Sequence, residues 1–186
     1  MYRLAQLTAV RVTLIGIAAC AADTGPAWRR IAEDLQSEVP RVRAVAANRL
    51  GELRAKQALP VLIDALSDRS PQVRSEAARA LGRIRDPRAV EPLIRALKDP
   101  DSTVRFYAAW ALGELKDPRA ADALLQALRD SEWCVRDQAA WALRELRVSD
   151  LVPRLIETFA ASADARLVGP LLRELAGTQL DQALQP

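Results

Sequence analysis

Apolar and polar positions along this chain recur with a fixed period. Residues 104–115 read VRFYAAWALGEL, and the same order of apolar, basic and small positions opens at Val42 (VRAVAANRLGEL), Val73 (VRSEAARALGRI) and Val135 (VRDQAAWALREL). Successive copies start 31 residues apart. In the third copy Val104, Ala108, Ala111, Leu112 and Leu115 fall on one face of a helix, as in an amphipathic α-helix. A shorter apolar pattern lies between copies. Leu62, Leu93, Leu124 and Leu155 share one phase, and Leu35, Leu66, Leu97, Leu128 and Phe159 share another, four residues on. Each unit is therefore predicted to be a short helix A followed by a longer helix B. The A helices are expected over 28–36, 58–66, 87–97, 118–128 and 151–159, and the B helices start near Pro40, Pro71, Ser102 and Trp133. One such hairpin cannot bury its apolar faces alone, so units of this length stack. The expected fold is all-α, a right-handed α-solenoid of about five two-helix repeats at 28–54, 55–85, 86–116, 117–147 and 148–176.

Local signals sharpen these boundaries. Asp86-Pro87 and Asp117-Pro118 pair an N-cap carboxylate with a proline at the first helical position, where no N–H is needed. Ser70 and Asp101 are expected to cap B helices, and Ser149 the fifth A helix. Gly51, Gly82 and Gly113 fall in phase late in the B helices. Glycine there costs roughly 1 kcal/mol of helix propensity, so close approach of a neighbouring helix is expected in return. Arg144 takes that place in the fourth copy, which loosens the packing there. Beyond Ser149 the register fails. Ala165-Arg166 lies 30 residues after Val135-Arg136, and Gly169-Pro170 interrupts the unit, as in a degenerate capping repeat. Residues 177–186 read as a polar tail.

The N-terminus breaks the pattern. Arg3 and Arg11 precede an apolar run from Val12 to Ala19, and small residues surround Cys20. That is the order of a secretory signal peptide, and the run is too short to span a bilayer, which needs about 20 residues. Ile17-Ala18-Ala19-Cys20 resembles a bacterial lipobox, which implies cleavage before Cys20 and acylation of its sulfur. The acyl chains would hold the protein on a membrane of the bacterial cell envelope, at about 0.8 kcal/mol per buried CH₂. Ala19-Cys20-Ala21 also reads as an ordinary cleavage site, giving a soluble exported protein. Alternatively Leu4, Leu7, Val10, Leu14 and Ile17 form a stripe that caps the solenoid. Residues 1–22 are thus a signal peptide or an N-terminal cap helix, and 23–27 a linker.

Composition removes whole classes of chemistry. The 186 residues include no histidine, which excludes His-ligated zinc, Glu-x-x-His di-iron sites, Ser-His-Asp triads and Cys-His dyads. Two cysteines, Cys20 and Cys134, give no disulfide framework. No metal site, cofactor motif or catalytic constellation stands out. The net charge is +3, and without Arg3 and Arg11 it is 25 basic against 24 acidic side chains, which argues against a nucleic-acid partner.

V-R-x-x-A-A-x-x-L-G-x-L/I, followed by D-P-x-A and an L-x-x-A-L helix, resembles the short HEAT-like repeats first grouped with phycobilisome lyases. The likeness runs from about Trp28 to Leu175. That family also carries an Asp six residues before the Arg of V-R, here Asp68/Arg74, Asp99/Arg105 and Asp130/Arg136, with Ser37 replacing the Asp before Arg43. We read them as a structural ladder in which Asp accepts from backbone N–H groups and Arg bridges to an Asp in its own or the adjacent layer.

The resemblance also implies that B helices line the concave side. At about 100° per residue, positions two before and two after Ala108 point away from the core. These are Phe106 and Trp110, with Ser75 and Arg79, and Asp137 and Trp141, as equivalents. Aromatics are scarce, yet they gather in two adjacent copies at positions where the others have Asn, Ser or Arg. Arg79, Phe106, Tyr107, Trp110, Asp137 and Trp141 are therefore the candidate partner-binding residues. Trp28 aligns with core positions, and Trp133 is expected to pack at a helix start. The function expected is a non-enzymatic protein- or peptide-binding scaffold. Two alternatives stand beside it: a bilin-lyase-like subunit or chaperone, suggested by the resemblance alone, and a DNA-binding HEAT protein like the alkylpurine glycosylases, whose basic concave face with aromatics is faintly echoed by Arg79 and Arg83 with Trp110 and Trp141.

Overall fold

The structure is a computed structural model that describes residues 27–146 and Pro153. The expected signal peptide or cap helix with Cys20, the linker up to Pro26, the fifth repeat apart from Pro153, and the tail lie outside the described residues. Eight α-helices and no strand are found among the described residues. The A helices are α1 (Ala27–Glu33), α3 (Leu59–Ala65), α5 (Val90–Ala96) and α7 (Ala121–Ala127). The B helices are α2 (Pro40–Glu52), α4 (Pro71–Ile84), α6 (Ser102–Leu115) and α8 (Trp133–Leu146). The all-helical solenoid is as expected, with four of its units described.

The A helices are shorter than their apolar pattern suggests. Each of the last three is entered through a 3₁₀ turn, at Lys56–Ala58, Pro87–Ala89 and Pro118–Ala120. The Asp-Pro signals start these turns rather than the α-helices. Asp86 and Asp117 Oδ1 each accept the N–H of the residue two on, Arg88 or Arg119, at 3.0 Å. Asp101 caps α6 as expected, taking the N–H groups of Thr103 (2.8 Å) and Val104 (3.2 Å). Ser70 does not cap α4. The Val73 N–H is already held by the Ser70 carbonyl (3.0 Å), and the loop N–H of Ser70 itself goes to Asp68 Oδ1 (2.8 Å).

The B helices pack closely in series, while A helices pack on their own B helix and have no comparable contact with one another. Tighter spacing on the B side bends the array towards it, so the B helices line the concave face. The core runs along the seam between the rows. Leu50, Leu81, Leu112 and Leu143 from B, and Leu62, Leu93 and Leu124 from A, are all fully buried. Val73, Val104 and Val135 are likewise buried, but Val42 is 39% exposed, because no B helix precedes α2 among the described residues. Trp28 is half-buried against the core, as expected. Trp133 is not packed: it is 71% exposed, and nothing among the described residues covers it.

The glycines serve the helix contact the sequence anticipates. A Cβ on Gly51 would stand 2.6 Å from Ala80 Cα, one on Gly82 2.8 Å from Ala111 Cα, and one on Gly113 3.0 Å from Ala142 Cα. At the helix ends the economy is reversed. Arg85 (φ 55) and Lys116 (φ 54) occupy left-handed C-cap positions where glycine is the usual residue. Their side chains reach the next B helix, Arg85 to Glu114 and Lys116 to Glu145 (2.6 Å).

Candidate functional site

Three positions per B helix, spaced i, i+3 and i+7, share the concave face. They are Val45, Asn48 and Glu52 in α2; Glu76, Arg79 and Arg83 in α4; Tyr107, Trp110 and Glu114 in α6; and Gln138, Trp141 and Glu145 in α8. All are half-buried except Val45 and Glu52, which are exposed. Chemistry changes halfway along. The N-terminal half is a polar web: Arg79 Nη2 and Arg83 Nη1 donate to Asn48 Oδ1 at 2.8 and 2.9 Å, and Asn48 Nδ2 donates to Glu52 at 3.2 Å. Arg79 also lies over the Tyr107 ring at 5.7 Å, and Tyr107 meets Phe106 edge-on at 5.2 Å. Arg79 Nη2 stands 2.6 Å from Glu76 Oε2, an ion pair out of hydrogen-bond alignment, and Glu76 Oε2 and Arg79 Nε are buried without a hydrogen-bond partner.

The C-terminal half is aromatic. Trp110 Cζ3 occupies the space over Gly82, 2.7 Å from where a Cβ would be, and Trp141 Cζ3 does the same over Gly113 at 2.5 Å. Each indole therefore leans back onto the preceding B helix, in room that a missing side chain leaves. Neither is enclosed: both remain half-buried. Seating by glycine orients the rings without removing them from the groove.

The structure thus brings Arg79, Tyr107, Trp110 and Trp141 onto one surface. Phe106 belongs to a different row. Its equivalents Ala44 and Ser75 are buried (2% and 6% exposed), because that row turns towards the following B helix instead of the groove. Phe106 joins the groove only through its contact with Tyr107, and Asp137, in the same row, is exposed at the end of the described array. Sequence reasoning missed the row of Glu76 and Gln138, whose signal was the i+3 spacing to Arg79 and Trp141.

The Arg–Asp pairs of the ladder join adjacent layers, one of the two arrangements the sequence leaves open. Each Arg holds the Asp of the next layer, 25 residues on, in a two-point pair. Arg43 Nε and Nη2 meet Asp68 at 2.7 and 2.8 Å, Arg74 meets Asp99 at 2.7 and 2.8 Å, and Arg105 meets Asp130 at 2.6 and 2.8 Å. Towards its own layer each Arg donates only to backbone carbonyls, as Arg74 Nη1 does to Asp68 O at 2.9 Å. Arg43 is thus a ladder member despite Ser37, since only the Ser37 carbonyl is needed (2.8 Å). The Asp carboxylates also take the N–H two residues on, at Ser70, Asp101 and Glu132.

The Arg43 hydrogen bonds hold the Asp68 carboxyl below its usual range, and Arg105 does so for Asp130. At Asp99 burial pushes upward most strongly, but Arg74 and the Asp101 N–H together outweigh it and the net shift is down. A carboxyl depressed in the fold contributes stability that is complete above its unfolded value, about 3.9, and is lost as pH falls through the folded value. The urea midpoint is therefore expected to be flat from neutrality to about pH 5 and to fall below about pH 4. A midpoint that falls already between pH 7 and 5 would contradict the ladder as its source.

Among the described residues no group of His, Cys, Asp and Glu is placed to hold a metal ion, and no helix is long and apolar enough to cross a membrane. Cys134 is a free, half-buried thiol.

Fold and groove together define a helical-repeat protein that presents one concave surface. A family model described as HEAT repeats matches residues 28–105 and 90–176, and the chain belongs to that family. It is similar to a chain in the structure of the complex of CpcE and CpcF of phycocyanin lyase from Nostoc sp. PCC7120, with 32% identity, 87% of this chain and 68% of that chain covered, and a TM-score of 0.67. Two further likenesses show the fold alone. An engineered protein has 21% identity, 84% and 78% coverage and a TM-score of 0.62. A designed armadillo repeat protein in complex with the peptide (KR)4 has 21% identity, 77% and 75% coverage and a TM-score of 0.58. Comparison with curated proteins finds no match.

Proposed function

We propose that this HEAT-repeat chain is a non-enzymatic scaffold that binds a protein or an extended peptide in its concave groove. The observation that carries the reading is the pair of indoles, Trp110 and Trp141, each seated over a glycine of the preceding helix and still open to the groove. Rigid aromatics lose little freedom on binding and dominate interface energetics. The similar phycocyanin lyase structure is itself a complex of two chains, which supports a protein partner. Peptides selected from a random displayed library against the full chain should lose affinity at least about tenfold when either Trp110→Ala or Trp141→Ala removes an anchor worth about 2 kcal/mol. Undiminished binding by folded variants of both would remove the groove assignment.

A bilin-lyase-like subunit is the second reading, supported by the 32% identity to the phycocyanin lyase chain. Mixing the full chain with a free bilin should then shift its absorbance, and an unchanged spectrum dismisses it. The DNA-binding reading gains no support, since Arg79 and Arg83 are held by Asn48 and acidic Glu114 and Glu145 share the groove. Attachment to the bacterial cell envelope through an acylated Cys20 remains part of the proposal and rests on residues 1–20. Palmitate labelling with intact mass tests it, and an unlabelled Cys20 on an unprocessed chain would refute it.

A further inference from the structure

We infer that the corner formed by Trp110 and Glu114 takes a lysine or arginine side chain, so that the peptide bound in the groove is a basic one. This rests on the groove reading above and adds the chemistry of its ligand.

Trp110 and Glu114 stand one turn apart on the concave face of α6, a spacing that brings Cβ atoms to about 5–6 Å. α6 is an inner helix, packed between α4 and α8, so both flanks of the corner belong to the described array. Glu114 is engaged at one oxygen only. Arg85 Nε donates to Glu114 Oε2 at 3.0 Å, and Arg85 Nη2 meets that same atom. Neither bond uses Oε1, which accepts no hydrogen bond among the described residues and is open to solvent. The Glu114 side chain as a whole is only 19% exposed, so the carboxylate is held in place with one oxygen to offer.

The ring beside it is equally uncommitted. Trp110 sits over Gly82 and remains half-buried. In the groove the chain's own cation, Arg79, lies over Tyr107 at 5.7 Å, and no cation of the described residues lies over Trp110. An indole face attracts a cation, more strongly as water is excluded. A long basic side chain suits both groups, because its apolar stem can lie on the ring while its charged head reaches Oε1. An acidic side chain would meet the Glu114 carboxylate at the same spot. Charge along the groove points the same way. The groove positions of α6 and α8 include Glu114 and Glu145 and no base, whereas α4 contributes Arg79 and Arg83 beside Glu76.

Peptides selected from a random displayed library on the full chain read the preference directly. Binders that need Trp110 should be rich in Lys and Arg. Replacing their basic residues one at a time by Gln should find one whose loss weakens binding about fivefold or more. Glu114→Gln should weaken the parent peptide by a similar factor and leave the Gln-substituted peptide unaffected. Arg85→Gly separates binding from structure. It breaks the same ion pair at a left-handed position (φ 55) that glycine accepts, and it frees both oxygens of Glu114. The basic peptide should therefore bind Arg85→Gly as well as before, or more tightly. A loss in Arg85→Gly as large as in Glu114→Gln would show that Glu114 acts only by joining α4 to α6, and the inference is overturned. Trp110-dependent binders that lack a basic residue, or whose basic residue is indifferent to Glu114→Gln, overturn it and leave the groove reading intact. The absence of any binder that needs Trp110 removes both.

Discussion

Asp99→Ala is expected to lower the unfolding free energy by about 3–5 kcal/mol, the cost of leaving a buried charge without its partner. Its partner Arg74 has a side chain only 12% exposed and Asp99 one only 9% exposed, so water cannot replace the lost carboxylate. The change also strips the Asp101 N–H of its acceptor (2.8 Å). A surface pair gives the contrast. Arg69 and Glu38 are 72% and 94% exposed, and Glu38→Ala should cost no more than about 1 kcal/mol. The sign of the ladder's own worth is a separate matter. Replacing both Arg74 and Asp99 by apolar residues of similar volume should recover much of the loss, because two charges then need no desolvation. Urea unfolding of the three variants measures all of this. Equal losses for Asp99→Ala and Glu38→Ala would show that the interlayer pairs do not hold the stack together.

The second large effect is expected at Gly82. Two terms compete when alanine replaces it. Helix propensity favours alanine by roughly 1 kcal/mol. Against that, the new Cβ would meet Ala111 Cα at 2.8 Å, Ala111 Cβ at 2.9 Å and Trp110 Cζ3 at 2.7 Å. The ring can tilt away, but Ala111 Cα is backbone, so α6 must move off α4. Overpacking of this kind costs about 1–3 kcal/mol, and the clash with backbone should win, with a net loss of up to about 2 kcal/mol. Tryptophan emission should shift as Trp110 is displaced. Adding Trp110→Ala to Gly82→Ala should restore only part of the stability, since the contact with Ala111 persists. A stabilised Gly82→Ala would mean that the helices are not held at this separation.

The fold was legible because the determinants of stacking repeat. Val104, Ala108, Leu112 and their equivalents mark one face four times over, and the in-phase glycines announce where helices touch. Partner choice within a ladder was not legible in the same way. Asp68 and Arg74 are neighbours in sequence, but the distance that matters is measured between layers, where Arg43 meets Asp68 and Arg74 meets Asp99. A motif read along one unit cannot show a bond that exists only once two units are stacked. Ser70 failed as a cap because its own carbonyl, not its hydroxyl, holds the Val73 N–H. Exposure at the array's end was similarly hidden. Val42 has the same sequence context as Val73, yet a valine is buried only by the layer before it. In the groove, Trp110 and Trp141 were singled out by rarity, while their seats on Gly82 and Gly113 needed coordinates.

One consequence of the ladder concerns how such a chain changes length over generations. Its Arg–Asp bonds all span 25 positions and its helix-end ion pairs span 29, inside a unit of 31. Copying or losing one whole unit leaves every donor facing an acceptor of its own kind. Slippage during replication can therefore lengthen or shorten the gene in whole steps without any compensating substitution. An insertion or loss of a single residue between an arginine and its aspartate has no such immunity.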